Sequence, residues 1–239
     1  MVGLGKHCNN LYISITYMSN KMPKLPLSGS EEPFTDFVYG SGIGKQSNNC
    51  YSFAIDWYGK NKRKLQPGEI SKTLKPDDDL TDPKVLKERV LADLATKKDG
   101  GYIGKPCIKC KEGYYKVMAF VDRNRDYHWY RQMGDMITNS DGKNLNTLAR
   151  NMNVNKNQIN LPENSDKVLV TGGGLWAHKR GLAELSVKDS VGKYITDPRT
   201  ANRDYDTLNY KTYVATFCIN AGFGKGANVS CNNKKGVKK

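Results

Sequence analysis

The sequence predicts an α+β domain in which a short N-terminal helix carrying a cysteine packs on an antiparallel β-sheet. Three observations lead there. Helix signals come first, at 49–59 and 82–100, and strand signals follow them. Tyr114 to Val121 is an apolar run of strand length, Asp122-Arg123-Asn124-Arg125 is a polar break, and Asp126-Tyr127-His128-Trp129-Tyr130-Arg131-Gln132 resumes in aromatics. Strand side chains alternate, so Tyr127, Trp129 and Arg131 take one face and His128, Tyr130 and Gln132 the other.

The 239 residues suffice for one substantial core, with a hydrophobic fraction of 38% that leaves room for long polar loops. A net charge of +14 favours anionic surroundings, but the charge is dispersed. No helix has a basic stripe with interleaved aromatics, so nucleic acid is expected to bind only non-specifically, through the basic ends. Polar residues break the apolar run in 1–20, so no signal peptide is expected. No stretch has the length of a membrane span. Six cysteines in a chain this long do not make a disulfide scaffold, which points to a reducing compartment, cytoplasm or virion.

Along the chain, 1–32 reads as an arm and linker: Leu11 to Tyr17 is a short apolar piece, and Pro23, Pro26 and Ser28-Gly29-Ser30 follow. The domain is expected over 33–222. Glycines 40, 42 and 44 read as a mobile loop, since no lysine-serine pair follows in phosphate-loop register. Asn49 to Gly59 reads as a short helix with Asn48 or Asn49 as cap and Gly59 as stop. Cys50 falls in its first turn, with Phe53, Ala54 and Trp57 inward at helical spacing.

Lys60 to Lys75 is a basic loop. Asp82, Pro83 and the stripe Leu86, Val90, Leu91, Leu94 then define a packing helix. Cys107-Ile108-Lys109-Cys110 lacks the second pair that a zinc site needs, so it reads as a tight turn with two ordinary thiols, and no metal or cofactor is expected. A short helix is expected near Leu145 to Met152. Strands are expected at Lys167 to Val170, Leu175 to Gly181 and Tyr210 to Ile219. Residues 223–239, rich in Gly, Asn and Lys, read as a flexible basic tail.

The candidate chemistry centres on Cys50, His128 and His178. A thiol at a helix start meets free N–H groups and the positive dipole end, which lower its pKa. The same N–H groups can hold an oxyanion. The alternative is a small buried cysteine used as a hydrophobe. A thiol nucleophile needs a base, and the base needs a group that fixes its tautomer. His128 supplies the first, and His178, in the next aromatic strand segment Trp176-Ala177-His178-Lys179, supplies the second.

Asn49-Cys50-Tyr51-Ser52-Phe53, His128-Trp129-Tyr130 and Trp176-Ala177-His178 resemble the cysteine helix and the two histidine strands of the NlpC/P60 branch of papain-like cysteine hydrolases. The chain also resembles a little-characterised set of bacterial and large-DNA-virus proteins that share Asn-Cys-Tyr (49–51), Asp-Tyr-His-Trp-Tyr-Arg-Gln (126–132), Trp-x-His-Lys-x-Gly (176–181) and Asp-Pro (197–198) followed by Arg203. The resemblance implies a papain-like fold and a thiol peptidase or amidase. Its roles would be Cys50 as nucleophile, His128 as base and His178 as orienting group. The Cys50 N–H and Gln46 would hold the oxyanion, and Tyr51, Tyr130, Gln132 and Trp176 would line a peptide or peptidoglycan-like amide substrate. The alternative is a structural component of a virus particle, a minor capsid protein that contacts other capsid proteins and uses the fold without catalysis.

Overall fold

The computed structural model describes residues 24–34, 42–58, 64–181 and 183–225. Among the described residues, the α-helices that precede or interrupt the sheets are α1 (Gly42–Ser47), α2 (Cys50–Ala54), α3 (Pro83–Leu94) and α4 (Leu145–Met152). The strands are β1 (Gly101–Gly104), β2 (Tyr114–Asp122), β3 (Asp126–Gln132), β4 (Met136–Asn139), β5 (Ile159–Asn160), β6 (Lys167–Val170), β7 (Trp176–Lys179), β8 (Leu185–Ser186), β9 (Asp204–Tyr205), β10 (Leu208–Asn209) and β11 (Thr212–Asn220). A six-stranded antiparallel sheet runs β1-β11-β2-β3-β7-β8. The fold is α+β, as the helix-then-strand order predicts.

The β2–β3 hairpin forms where the sequence breaks. Asp122 pairs with Asp126, Arg125 N–H donates to Asp122 O at 3.0 Å, and Asn124 takes the left-handed conformation (φ 62°) that asparagine tolerates best. One sheet face meets α2 and α3: Tyr51, Ala54, Leu86, Val90 and Leu94 pack against Val117, Trp129 and Phe217. The other face holds Met118, Phe120, Tyr130 and Trp176 under Leu25, Ile195, Tyr205 and Tyr210. Segment 133–175 builds a second core, in which α4 packs on a small sheet β4-β6-β5.

Several expectations are corrected. Glycines 42 and 44 lie in α1 and not in a loop. Residues 24–32 are no linker: Gln132 Nε2 donates to Leu25 O at 3.0 Å, Lys116 Nζ to Pro26 O at 2.9 Å, and Ser28 and Ser30 accept from Cys110 N and Gly113 N. Phe223 is buried beneath Lys97, so the domain runs past 222. The Leu11–Tyr17 arm and the tail from 226 lie outside the described residues.

Cys110 is disulfide-bonded to Cys218 (Cα–Cα 5.7 Å), and Cys107 is disulfide-bonded as well. The 107–110 turn therefore does not carry two ordinary thiols. Disulfides persist in oxidising settings, so the bridge argues against the reducing compartment expected from cysteine count. The sequence hid it because β1–β11–β2 pairing joins partners separated by 108 residues. Among the described residues, no helix is long and apolar enough to cross a membrane.

Candidate active site

Asn49 sets the position of Cys50. Its Oδ1 accepts from Ser52 N at 3.0 Å and its own N–H donates to Ser52 Oγ at 2.9 Å, a reciprocal cap that starts α2 at Cys50. The helix stops at Ala54, short of Gly59, because Asp56 turns left-handed (φ 57°). Arg131 of β3 fixes that turn: Nη1 lies 3.1 Å from Asp56 Oδ1, and its guanidinium covers the Tyr115 ring at 4.3 Å. Both ends of α2 thus rest on β3, since Cys50 Sγ sits 3.8 Å from Tyr127 O. Strand β7 pairs with β3 only from Tyr130 to Gln132. Cys50 therefore meets β3 beyond the β7 pairing, against the backbone on either side of His128.

His128 and His178 are diagonal neighbours across β3 and β7, because His178 pairs with Tyr130. His128 Nε2 and His178 Nδ1 are 2.8 Å apart, and His178 Nε2 is 3.0 Å from Lys188 O. These contacts fix the tautomers. A carbonyl only accepts, so His178 Nε2 carries its proton and His178 Nδ1 accepts. His128 Nε2 must then be the donor, which leaves the lone pair of neutral His128 on Nδ1. No hydrogen bond to Nδ1 exists among the described residues.

The pair sits in an aromatic shell. Tyr210 stacks on His128 at 4.9 Å, and Tyr130 stacks on His178 at 5.1 Å. Burial therefore holds both rings neutral. It pushes His178 down to about 4, against the opposing bond to Lys188 O. His128 is held well below the usual histidine range by burial first, then by His178 and Arg180.

Cys50 does not carry the lowered pKa expected of a helix start. Burial pushes the thiol up to about 12, and the Asp126 carboxylate adds to this. The amides of Tyr51, Trp129 and Cys50 pull the other way without winning. Resting sulfur is thus a neutral thiol. Asp126→Asn removes the negative charge while its amide oxygen can still accept from Tyr210 Oη, now 2.8 Å from Asp126 Oδ2. The thiol pKa is expected to fall, and iodoacetamide should alkylate Cys50 about tenfold faster near neutral pH for each unit of that fall. An unchanged rate would mean that Asp126 does not govern the sulfur.

The expected substrate-lining residues lie in the core. Tyr51 is buried and donates to Asp93 Oδ2 at 2.8 Å; Tyr130 Oη faces Tyr205 Oη at 3.4 Å; Gln132 anchors Leu25; Trp176 is fully buried. Each is closed over by other elements and packs in the interior. Gln46 is exposed on α1, and no hydrogen bond joins it to Cys50. The amide of Trp129 acts on the sulfur instead.

Sequence reasoning missed Tyr210, Asp126 and Lys188. Asp126 lay inside the aromatic block without a stated role. Tyr210 is 84 residues from its partner, and Lys188 contributes a carbonyl that any residue could supply. Among the described residues, no three of His, Cys, Asp and Glu come together in a way that could hold a metal ion. No protein-family model, curated protein or solved structure matches the chain.

Proposed function

We propose that the protein is a papain-like thiol hydrolase, a peptidase or amidase that cleaves an amide bond of a peptide or peptidoglycan-stem substrate through Cys50, His128 and His178. The directional chain from His128 to His178 to Lys188 O carries this reading. It gives His128 one bare nitrogen, which is what a general base requires.

In this mechanism the Cys50 proton passes to His128 Nδ1 as sulfur attacks the carbonyl carbon. His178 accepts from His128 Nε2 and so holds the imidazolium in place. The N–H groups of Cys50 and Tyr51 stabilise the oxyanion. His128 returns the proton to the leaving amine, and water then hydrolyses the thioester. A thiol with its pKa near 12 fits proton transfer during attack and not a standing thiolate.

A second reading has its own observation. Cys50 is 7% exposed, His128 2% and His178 1%, values suited to a structural component of a particle in which these groups only pack. Acylation by p-nitrophenyl acetate separates the two. A hydrolase should give an acetyl thioester on Cys50 and a burst of nitrophenolate, both absent in Cys50→Ala. A folded protein whose Cys50 stays unmodified over hours would favour the structural component.

A further inference from the structure

Lys179 follows His178 on β7, so its side chain leaves the opposite face of the strand, toward the α2 side of the sheet. The residue is completely buried. Its Nζ donates to Lys45 O at 2.9 Å and Gly181 O at 2.5 Å. Lys45 belongs to α1, which leads directly through Asn48 and Asn49 into Cys50. One strand thus sends an imidazole to His128 and an ammonium toward the face that carries α1 and α2.

That ammonium has no carboxylate partner among the described residues. The charged groups that act on it are Lys64 and Lys45, which repel it, and Cys50, which attracts it once ionised. Glu184 is occupied by Lys45 at 3.1 Å. A buried cation held only by carbonyls is costly, and a leucine would fill the position without that cost. The cost has a use if negative charge forms nearby. Asp126 opposes ionisation of Cys50. His178 pairs with Tyr130, so Lys179 falls opposite Trp129, whose amide bonds the sulfur, and an ionised Cys50 attracts the ammonium.

On the thiol-hydrolase reading above, we infer that Lys179 is a positioning residue whose buried ammonium offsets the negative charge that develops at Cys50 during attack. Its own proton is held loosely. Burial lowers Lys179 to about 8, with Lys64 adding to the shift, so the charge is present near neutral pH and lost above it. The assistance is therefore confined to the lower range.

The test is the rate of Cys50 alkylation by iodoacetamide against pH in wild type, Lys179→Gln and Lys179→Arg. Gln keeps N–H donors for the two carbonyls and removes the charge. It should react about tenfold more slowly than wild type near pH 7, the equivalent of one pKa unit, and equally fast near pH 10. Arg does not lose its proton in this range, so its rate advantage over Gln should persist to about pH 10. Equal rates for Gln and wild type near pH 7 would overturn the inference. So would a ratio that is the same at both pH values, which marks altered access and not charge. If Gln fails to fold, Arg is compared with wild type directly: its rate should exceed that of wild type near pH 10, where Lys179 has lost its proton, and equal rates there overturn the inference. Failure of the hydrolase reading appears elsewhere, as acylation that His128→Ala leaves unchanged.

Discussion

His128→Ala is expected to slow acylation of Cys50 by about 10²–10⁴-fold, the usual worth of a positioned general base. The thiol is neutral at rest, so it cannot attack efficiently until something removes its proton. Nδ1 of His128 is the bare nitrogen on the strand that Cys50 touches. His178→Ala should do less damage, because it removes only the acceptor for Nε2 and frees the ring to change tautomer. His178→Asn should recover part of that loss, since an amide oxygen can still accept. Melting temperature is the control: a variant that stays folded while acylation falls has lost chemistry and not structure. Equal acylation in His128→Ala and wild type would remove the base from the mechanism.

The second large effect is on stability. Asp93 is fully buried on α3 and accepts from four groups: Tyr51 Oη at 2.8 Å, Gly68 N at 2.7 Å, and Ser71 N and Oγ, both at 2.8 Å. The carboxylate ties the turn at 66–74 to α3 and to the residue after Cys50. Asp93→Ala would leave these donors buried without an acceptor, at about 1–3 kcal/mol for each group that water cannot reach. Because the donors relax together, the sum is not additive. A loss of about 3 kcal/mol or more is expected in urea unfolding. Asp93→Asn should cost less, since one oxygen remains. A loss below about 1 kcal/mol for alanine would show that the turn re-forms its bonds elsewhere.

The elements that were legible in the sequence are those whose causes are local. Asp82 and Pro83 start α3, and Leu86, Val90 and Leu94 face the core, all within one stretch. The β2–β3 hairpin is written by an apolar run, a turn and an alternating block. The facing of His128 and His178 follows from strand period and neighbouring strands. What stayed hidden depends on distant partners. The early end of α2 needs Arg131, which reaches Asp56 from 75 residues away. Asp93, Lys116 and Lys179 are charged residues that sequence alone reads as solvated, yet each is buried against partners that other elements provide. Cys50 is the clearest case: its place at a helix start was readable, but the burial and the Asp126 charge that outweigh the helix amides were not.

The same burial sets the response to acid. An unfolded histidine titrates near 6.5, whereas His178 titrates at about 4 in the fold and His128 well below its usual value. The unfolded chain binds more protons between these limits, so stability is full above about pH 6.5 and falls as pH drops through that window.

The tautomers of His128 and His178 can be read directly from ring nitrogen shifts in ¹⁵N NMR. Both rings should be neutral near pH 7, with Nε2 protonated and Nδ1 bare. On the proposed mechanism Nδ1 of His128 takes the Cys50 proton, so its resonance should move in Cys50→Ala. A proton on Nδ1 of His128, or a resonance indifferent to loss of the Cys50 sulfur, would contradict the assignment of His128 as the base for Cys50.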